Sequence, residues 1–177
     1  PVDQTTATIT LGNVSASGFA NYDSDAKKIN EIDGWAEIGK DTSLGYGYVG
    51  WQHLHFPNQP FPDTEETYGG LATHFTGTPS VFIAHDEKLG SGTYWEGSVE
   101  ANKEWKNGTN LKLKLIGAYN DDYYLEGSAP SHVGATATIT LPASKNCSLE
   151  ASIESIEGLR EDVDSTTTLS TGVKWKW

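Results

Sequence analysis

The stretch Asn107-Gly-Thr-Asn-Leu-Lys-Leu-Lys-Leu-Ile-Gly-Ala-Tyr119 decides the fold class. Successive side chains of an extended strand point to opposite faces, so Leu111, Leu113, Leu115, Gly117 and Tyr119 share one face while Lys112 and Lys114 begin the other. Asn107-Gly108 in front of it is the signal of a two-residue primed hairpin turn. The segment therefore reads as the return arm of a β-hairpin, charged on one side and apolar on the other.

The same period of two runs outward in both directions. His132–Pro142 sets Val133, Ala135, Ala137, Ile139 and Leu141 against Thr136, Thr138 and Thr140, and Asn146–Ile156 sets Leu149, Ala151 and Ile153 against Glu150, Ser152 and Glu154. The final segment sets Leu169, Val173, Trp175 and Trp177 against Ser170, Lys174 and Lys176. About ten strands are expected, with eight to twelve allowed: Thr5–Asn21, Glu31–Gly39, Ser43–Phe56, Glu65–Thr76, Pro79–His85, Gly92–Trp105, Thr109–Tyr119, His132–Pro142, Asn146–Ile156 and Ser165–Trp177. They form one all-β domain over residues 1–177.

The expected connections alternate. Lys40–Thr42, Gly77–Thr78, Lys106–Gly108 and Ala143–Lys145 are short; Tyr22–Asn30, Pro57–Thr64, Asp86–Ser91, Asn120–Ser131 and Glu157–Asp164 are long. An antiparallel up-and-down meander places one set at each end, as transmembrane β-barrels do, whereas Greek-key crossovers give no such alternation. The long connections also collect acid: Asp23, Asp25, Asp63, Asp86, Glu87, Asp121, Asp122, Glu126, Glu157, Glu161, Asp162 and Asp164. An acidic rim attracts cations; solvated loops give the same composition.

Periodicity does not say which face meets solvent, because a soluble barrel and a membrane barrel share it. Three features favour lipid on the apolar side. Trp105, Trp175 and Trp177 fall toward one end of the strands and Trp95 and Tyr119 toward the other, where a bilayer interface would hold half-wet rings. The middle of the apolar face is thin, with Gly34, Ala36, Gly97, Ala101, Ala135 and Ala137, which suits lipid better than a close-packed core. On the opposite face Glu96, Glu100, Glu150 and Glu154 can balance Lys112, Lys114, Lys174 and Lys176, so a paired charge network lining a lumen is expected.

Composition removes several classes. The net charge of -12 argues against nucleic acid as a partner. No apolar run is long enough for a membrane-spanning helix, and the lone Cys147 excludes an intrachain disulfide framework. The chain opens at Pro1 and has no Met, which fits removal of an upstream signal peptide.

Gly45-Tyr-Gly-Tyr-Val-Gly-Trp51, Phe56-Pro57, Glu65-Glu-Thr-Tyr-Gly-Gly-Leu71, Pro79-Ser-Val81 and Gly92-Thr-Tyr-Trp-Glu96 follow one another in a set order. As a set they resemble the TorF-like family of small bacterial outer-membrane porins, over roughly Ile32 to the C-terminus. The residues before Ile32 do not show that family's opening strands. The last strand, ending at Trp177 where outer-membrane barrels usually have Phe, is similar to the signal their assembly machinery reads. The resemblance implies an outer-membrane barrel and a channel, with a lipid bilayer and that machinery as partners; the acidic rim points to small cations or solutes as what passes. It implies no catalytic residue.

Other chemistry is thin. His53 and His55 lie on one strand face and His85 nearby, a conceivable metal trio, although rim histidines look the same. His85-Asp86 and Asp121-Asp122 supply residue types used by barrel proteases without any matching motif, and there is no phosphate loop or nucleophile elbow. The expectation is thus a non-enzymatic outer-membrane barrel without cofactors, a narrow cation-preferring porin or a structural barrel. The alternative is a secreted soluble all-β protein that binds carbohydrate or self-associates into fibres.

Overall fold

A computed structural model describes residues 2–60, 62–88, 91–123 and 125–175. Among the described residues there are eleven strands and no helix: β1 (Val2–Leu11), β2 (Val14–Asp23), β3 (Lys28–Asp41), β4 (Gly45–His55), β5 (Thr64–Thr73), β6 (Ser80–Asp86), β7 (Thr93–Glu104), β8 (Asn110–Asp121), β9 (Ser128–Ser144), β10 (Cys147–Gly158) and β11 (Thr166–Trp175). Each strand pairs antiparallel with its neighbours in chain order, so the sheet is a single up-and-down meander. Apart from the seven-residue β6, every strand has ten or more residues, enough to cross a bilayer at a tilt.

The expected first strand, Thr5–Asn21, is instead a hairpin. Leu11 faces Val14 across a two-residue turn, and Gly12 at φ 63° takes the left-handed conformation such a turn needs. The apolar phase flips from odd positions (Ile9, Leu11) to even ones (Val14, Ala16) at that point, as pairing across the turn requires.

The two ends are less distinct than expected. The turn end carries connections 12–13, 42–44, 74–79, 105–109 and 145–146; the loop end carries 24–27, 56–63, 87–92, 122–127 and 159–165. The link 24–27 is shorter than 74–79, because β2 and β3 extend to Asp23 and Lys28 whereas β5 stops at Thr73 and β6 starts at Ser80. Asp86 and Glu157, expected in loops, belong to β6 and β10.

Register sorts the side chains into two faces, because directly opposed residues share a face. Val99 opposes Leu115, which opposes Ala135; Trp95 opposes Tyr119; Ile153 opposes Leu169. This is the outer face, and its large side chains are open: Leu115 is 58% exposed, Ile153 49% and Trp95 44%. The inner face carries the polar set, and the most buried large side chains of the described residues lie there: Glu66 at 1% and Asp86 and Thr64 at 0%. Buried hydrophobic residues are Tyr68, Ala84 and Ala118. A soluble domain of this length hides most of its apolar surface. Here the order is inverted, with acids inside and leucines out.

Among the described residues the sheet is not closed. An odd number of alternating strands makes β1 and β11 run in the same direction, and these two edge strands do not meet among the described residues.

Candidate functional site

The inner face is the candidate site, and period-two alternation builds it: each strand contributes every second residue. On its β7–β11 side it is a ladder of charges. Lys112 Nζ lies 3.3 Å from Glu100 Oε2, Lys114 Nζ 2.9 Å from Glu96 Oε1, and Lys174 Nζ 2.5 Å from Glu150 Oε2. Glu154 accepts a hydrogen bond from Thr136 Oγ1 at 3.2 Å, and Glu150 a longer one from Thr140 at 3.4 Å. Lys114 opposes Glu100 in register yet reaches past it to Glu96, so the pairing runs diagonally. Of the eight charges that sequence reasoning grouped, Lys176 lies outside the described residues. Below the diagonal a cavity of about 440 Å³ is lined by Ser80, Ser98, Glu100, Lys112, Lys114 and Thr136 among others.

On the β4–β7 side the inner face is aromatic. Tyr46 and Tyr48 have ring centroids 5.9 Å apart, Tyr48 and Tyr68 6.3 Å, Tyr68 and Phe82 5.9 Å, Phe82 and Tyr94 6.3 Å, and Tyr94 and His132 6.3 Å. Three tyrosines sit against glycines on the next strand. A Cβ at Gly50 would collide with the Tyr68 ring, one at Gly70 with Tyr48, and one at Gly39 with Tyr46. Missing side chains let the rings lie down along the sheet instead of standing out from it. Tyr46 Oη donates to Glu37 at 3.1 Å and Tyr94 Oη to Glu96 at 3.2 Å, which fixes the ring directions.

At the loop end one connection reaches over the inner face. Tyr123, on the 122–127 connection, reaches across to donate to Glu66 on β5, and Gln52 donates to the other oxygen of that carboxylate. Its ring centroid lies 5.7 Å from that of Tyr94. Asn120, 2% exposed, shapes the connection by donating to the carbonyls of Leu125 and Gly127. Arg160 then ties the next loop to it through the carbonyls of Glu126 and Gly127, and its pairing with Asp162 holds that carboxyl below the usual range. Asp86 faces Glu66 in the β5–β6 register and accepts a hydrogen bond from Thr64 at 2.7 Å.

The histidines do not converge. His53 Nδ1 lies 3.8 Å from Glu65, His55 Nδ1 2.8 Å from Asp63, and His85 Nδ1 3.2 Å from Thr93 Oγ1. Among the described residues no group of three His, Cys, Asp or Glu is gathered for a metal. His85 and Asp86 point to opposite faces, so the pair sequence reasoning set side by side cannot act on one substrate. On the outer face, Trp105 and Trp175 fall toward the turn end and Trp95 and Tyr119 toward the loop end; Trp177 lies outside the described residues.

Sequence reasoning missed the tyrosine arc and the buried Glu66–Asp86 level. Their signal is the pairing of Gly45-Tyr-Gly-Tyr-Val-Gly50 with Tyr68-Gly-Gly70, small opposite large on one face, which shows only once β4 and β5 are in register. No family model, curated protein or solved structure matches the chain.

Proposed function

We propose that this chain is a β-barrel of the bacterial outer membrane, of the TorF-like porin kind, and acts as a narrow, cation-preferring channel. The observation that carries the proposal is the inverted sheet: along the middle of the strands the outer face presents leucine, valine, isoleucine and tryptophan, with charges such as Glu65, Lys103 and Asp121 only near the strand ends, and the inner face holds the paired charges. In water that arrangement is unfavourable at about 25 cal/mol per Å² of exposed apolar area, and in lipid it is not.

The inner face supplies the permeation chemistry. Glu37, Glu66, Asp86, Glu96, Glu100, Glu150 and Glu154 outnumber Lys112, Lys114 and Lys174, an excess that favours cations. Barrels of about eight strands are filled by side chains and open aqueous pores need sixteen or more, so eleven strands with Tyr123 reaching across to Glu66 leave a thin path. Closure requires either parallel pairing of β1 with β11 or one further strand running opposite to both. The bilayer and the outer-membrane assembly machinery, reading the C-terminal strand, are the partners this reading entails.

The edge strands β1 and β11, which do not meet among the described residues, favour a second reading, a secreted β-protein that self-associates through them, since an open edge templates further pairing. It leaves the outer face in water, which is its weakness.

Expression with a cleavable export signal, followed by extraction and gels of unheated and boiled samples, separates the two. A membrane-fraction protein that needs detergent and shifts on boiling supports the barrel; a detergent-free protein with no shift overturns it.

A further inference from the structure

We propose that the tyrosine arc is a binding track for organic cations of the quaternary-ammonium class. The proposal rests on the barrel reading, which makes the inner face an aqueous passage, and it specifies what that passage takes.

Three observations converge. First, the arc is continuous. Tyr46, Tyr48, Tyr68, Phe82 and Tyr94 form a chain with centroid steps of 5.9–6.3 Å. It rises from Tyr46, beside the turn end of β4, to Tyr94, beside the loop end of β7. It therefore runs obliquely along the depth of the sheet, as a track must. Second, Gly39, Gly50 and Gly70 give the Tyr46, Tyr68 and Tyr48 rings room to lean over the neighbouring strand, while the Tyr48–Tyr68 and Phe82–Tyr94 pairs meet at 61° and 63°, so the arc offers faces and edges in turn. A ring lying along a wall offers its π face, the electron-rich side, to whatever passes, whereas a ring standing out offers its positive edge. Third, the inner positions of β4–β7 carry Glu66, Asp86, Glu96 and Glu100, and Glu37 on β3 sits beside Tyr46, while Lys114 and Lys112 reach from β8 to Glu96 and Glu100. Five acids against two lysines leave a net negative charge on this side of the inner face, which favours a cation.

The ligand class follows from combining the two. A π face attracts a cation within about 6 Å, and the attraction survives best for soft ions that hold water weakly. Small metal ions keep their hydration and gain little from a phenol ring. A neutral sugar could stack but would leave the acidic surplus uncompensated. A trimethylammonium group matches both rings and charge. The Tyr46–Glu37 and Tyr94–Glu96 hydrogen bonds hold the phenols in place and keep each carboxylate beside its ring.

The test is ligand-observed NMR on the protein in an oxyethylene detergent, which has neither sugar nor ammonium headgroup. The probes are choline, its uncharged carbon isostere 3,3-dimethyl-1-butanol, and maltose. Choline is expected to bind in about the millimolar range typical of a few cation–π contacts, and the isostere and maltose at least tenfold more weakly. Tyr48→Leu and Tyr94→Leu should each weaken choline about two- to tenfold, while Tyr119→Leu on the outer face should not. Each variant is first checked for the wild-type gel shift on boiling; if both arc variants fail it, the comparison of choline with its isostere on the wild type decides. Equal binding of choline and its isostere, or preferential binding of maltose, overturns the proposal. Absence of choline binding by a protein that still shows the shift overturns it too and leaves the barrel standing; loss of the shift in the wild type would instead remove the barrel.

Discussion

Leu115 lies midway along β8 on the outer face, opposed by Val99 and Ala135, and is 58% exposed. Leu115→Arg therefore separates two environments that the residue's contacts do not. If that face meets water, replacing an exposed leucine by arginine disturbs no packing and should change stability by no more than about 0.5 kcal/mol. If it meets hydrocarbon, an arginine near the bilayer midplane of a barrel costs about 2–4 kcal/mol, a shift of roughly 30- to 900-fold in the folding equilibrium. Leu159→Arg, on the exposed 159–165 connection at the loop end, should cost less than about 0.5 kcal/mol in either case. The assay is equilibrium urea unfolding in phospholipid vesicles, followed by tryptophan emission. A Leu115→Arg change as small as that of Leu159→Arg refutes the assignment of the outer face.

Other outcomes follow from the inner face and the rim. Glu100→Gln with Glu150→Gln removes the anions facing Lys112 and Lys174; because these pairs are partly open, the expected loss is on the order of 1 kcal/mol in thermal or urea melts. Gly50→Ala drives a methyl into the Tyr68 ring and should destabilise by about 1–3 kcal/mol, whereas Gly97→Ala, with open space at its Cβ, should not. In the 56–63 connection, hydrogen bonds from His55 and the Phe56 amide hold the Asp63 carboxyl below its ordinary range. Its folded pKa being lowered, the contribution is complete above the ordinary carboxylate pKa of about 3.9 and fades as pH falls through the folded value. Limited proteolysis of that loop should therefore be independent of pH above about pH 5, with Asp63→Asn cut faster than wild type there, and should increase below that pH in wild type but not in Asp63→Asn.

Much of the fold is legible in the chain because alternation is a one-dimensional signal: Leu111, Leu113 and Leu115 against Lys112 and Lys114 give strand, face and phase without any knowledge of neighbours. The β1–β2 hairpin was harder, since Gly12-Asn13 interrupts a run of small residues whose only mark is the flip from Ile9 and Leu11 to Val14 and Ala16. The acids of the long connections could not be divided in advance between rim and interior, because a one-residue difference in where β6 ends moves Asp86 from solvent to full burial. The charge partners were visible as types but not as pairs: the diagonal reach of Lys114 past Glu100 to Glu96 depends on strand shear. The tyrosine arc is spread over β4 to β7, and contacts between strands do not show in any single one of them.

The most direct test of lipid on the outer face uses two single-tryptophan proteins in vesicles containing brominated lipid. One keeps Trp95, on the outer face opposite Tyr119, and the other keeps Trp35, which opposes Gln52 on the inner face, with the remaining tryptophans changed to Phe. The account predicts that brominated chains quench Trp95 strongly and Trp35 weakly. Equal quenching of both, or quenching of Trp95 by aqueous acrylamide and not by lipid, would contradict it.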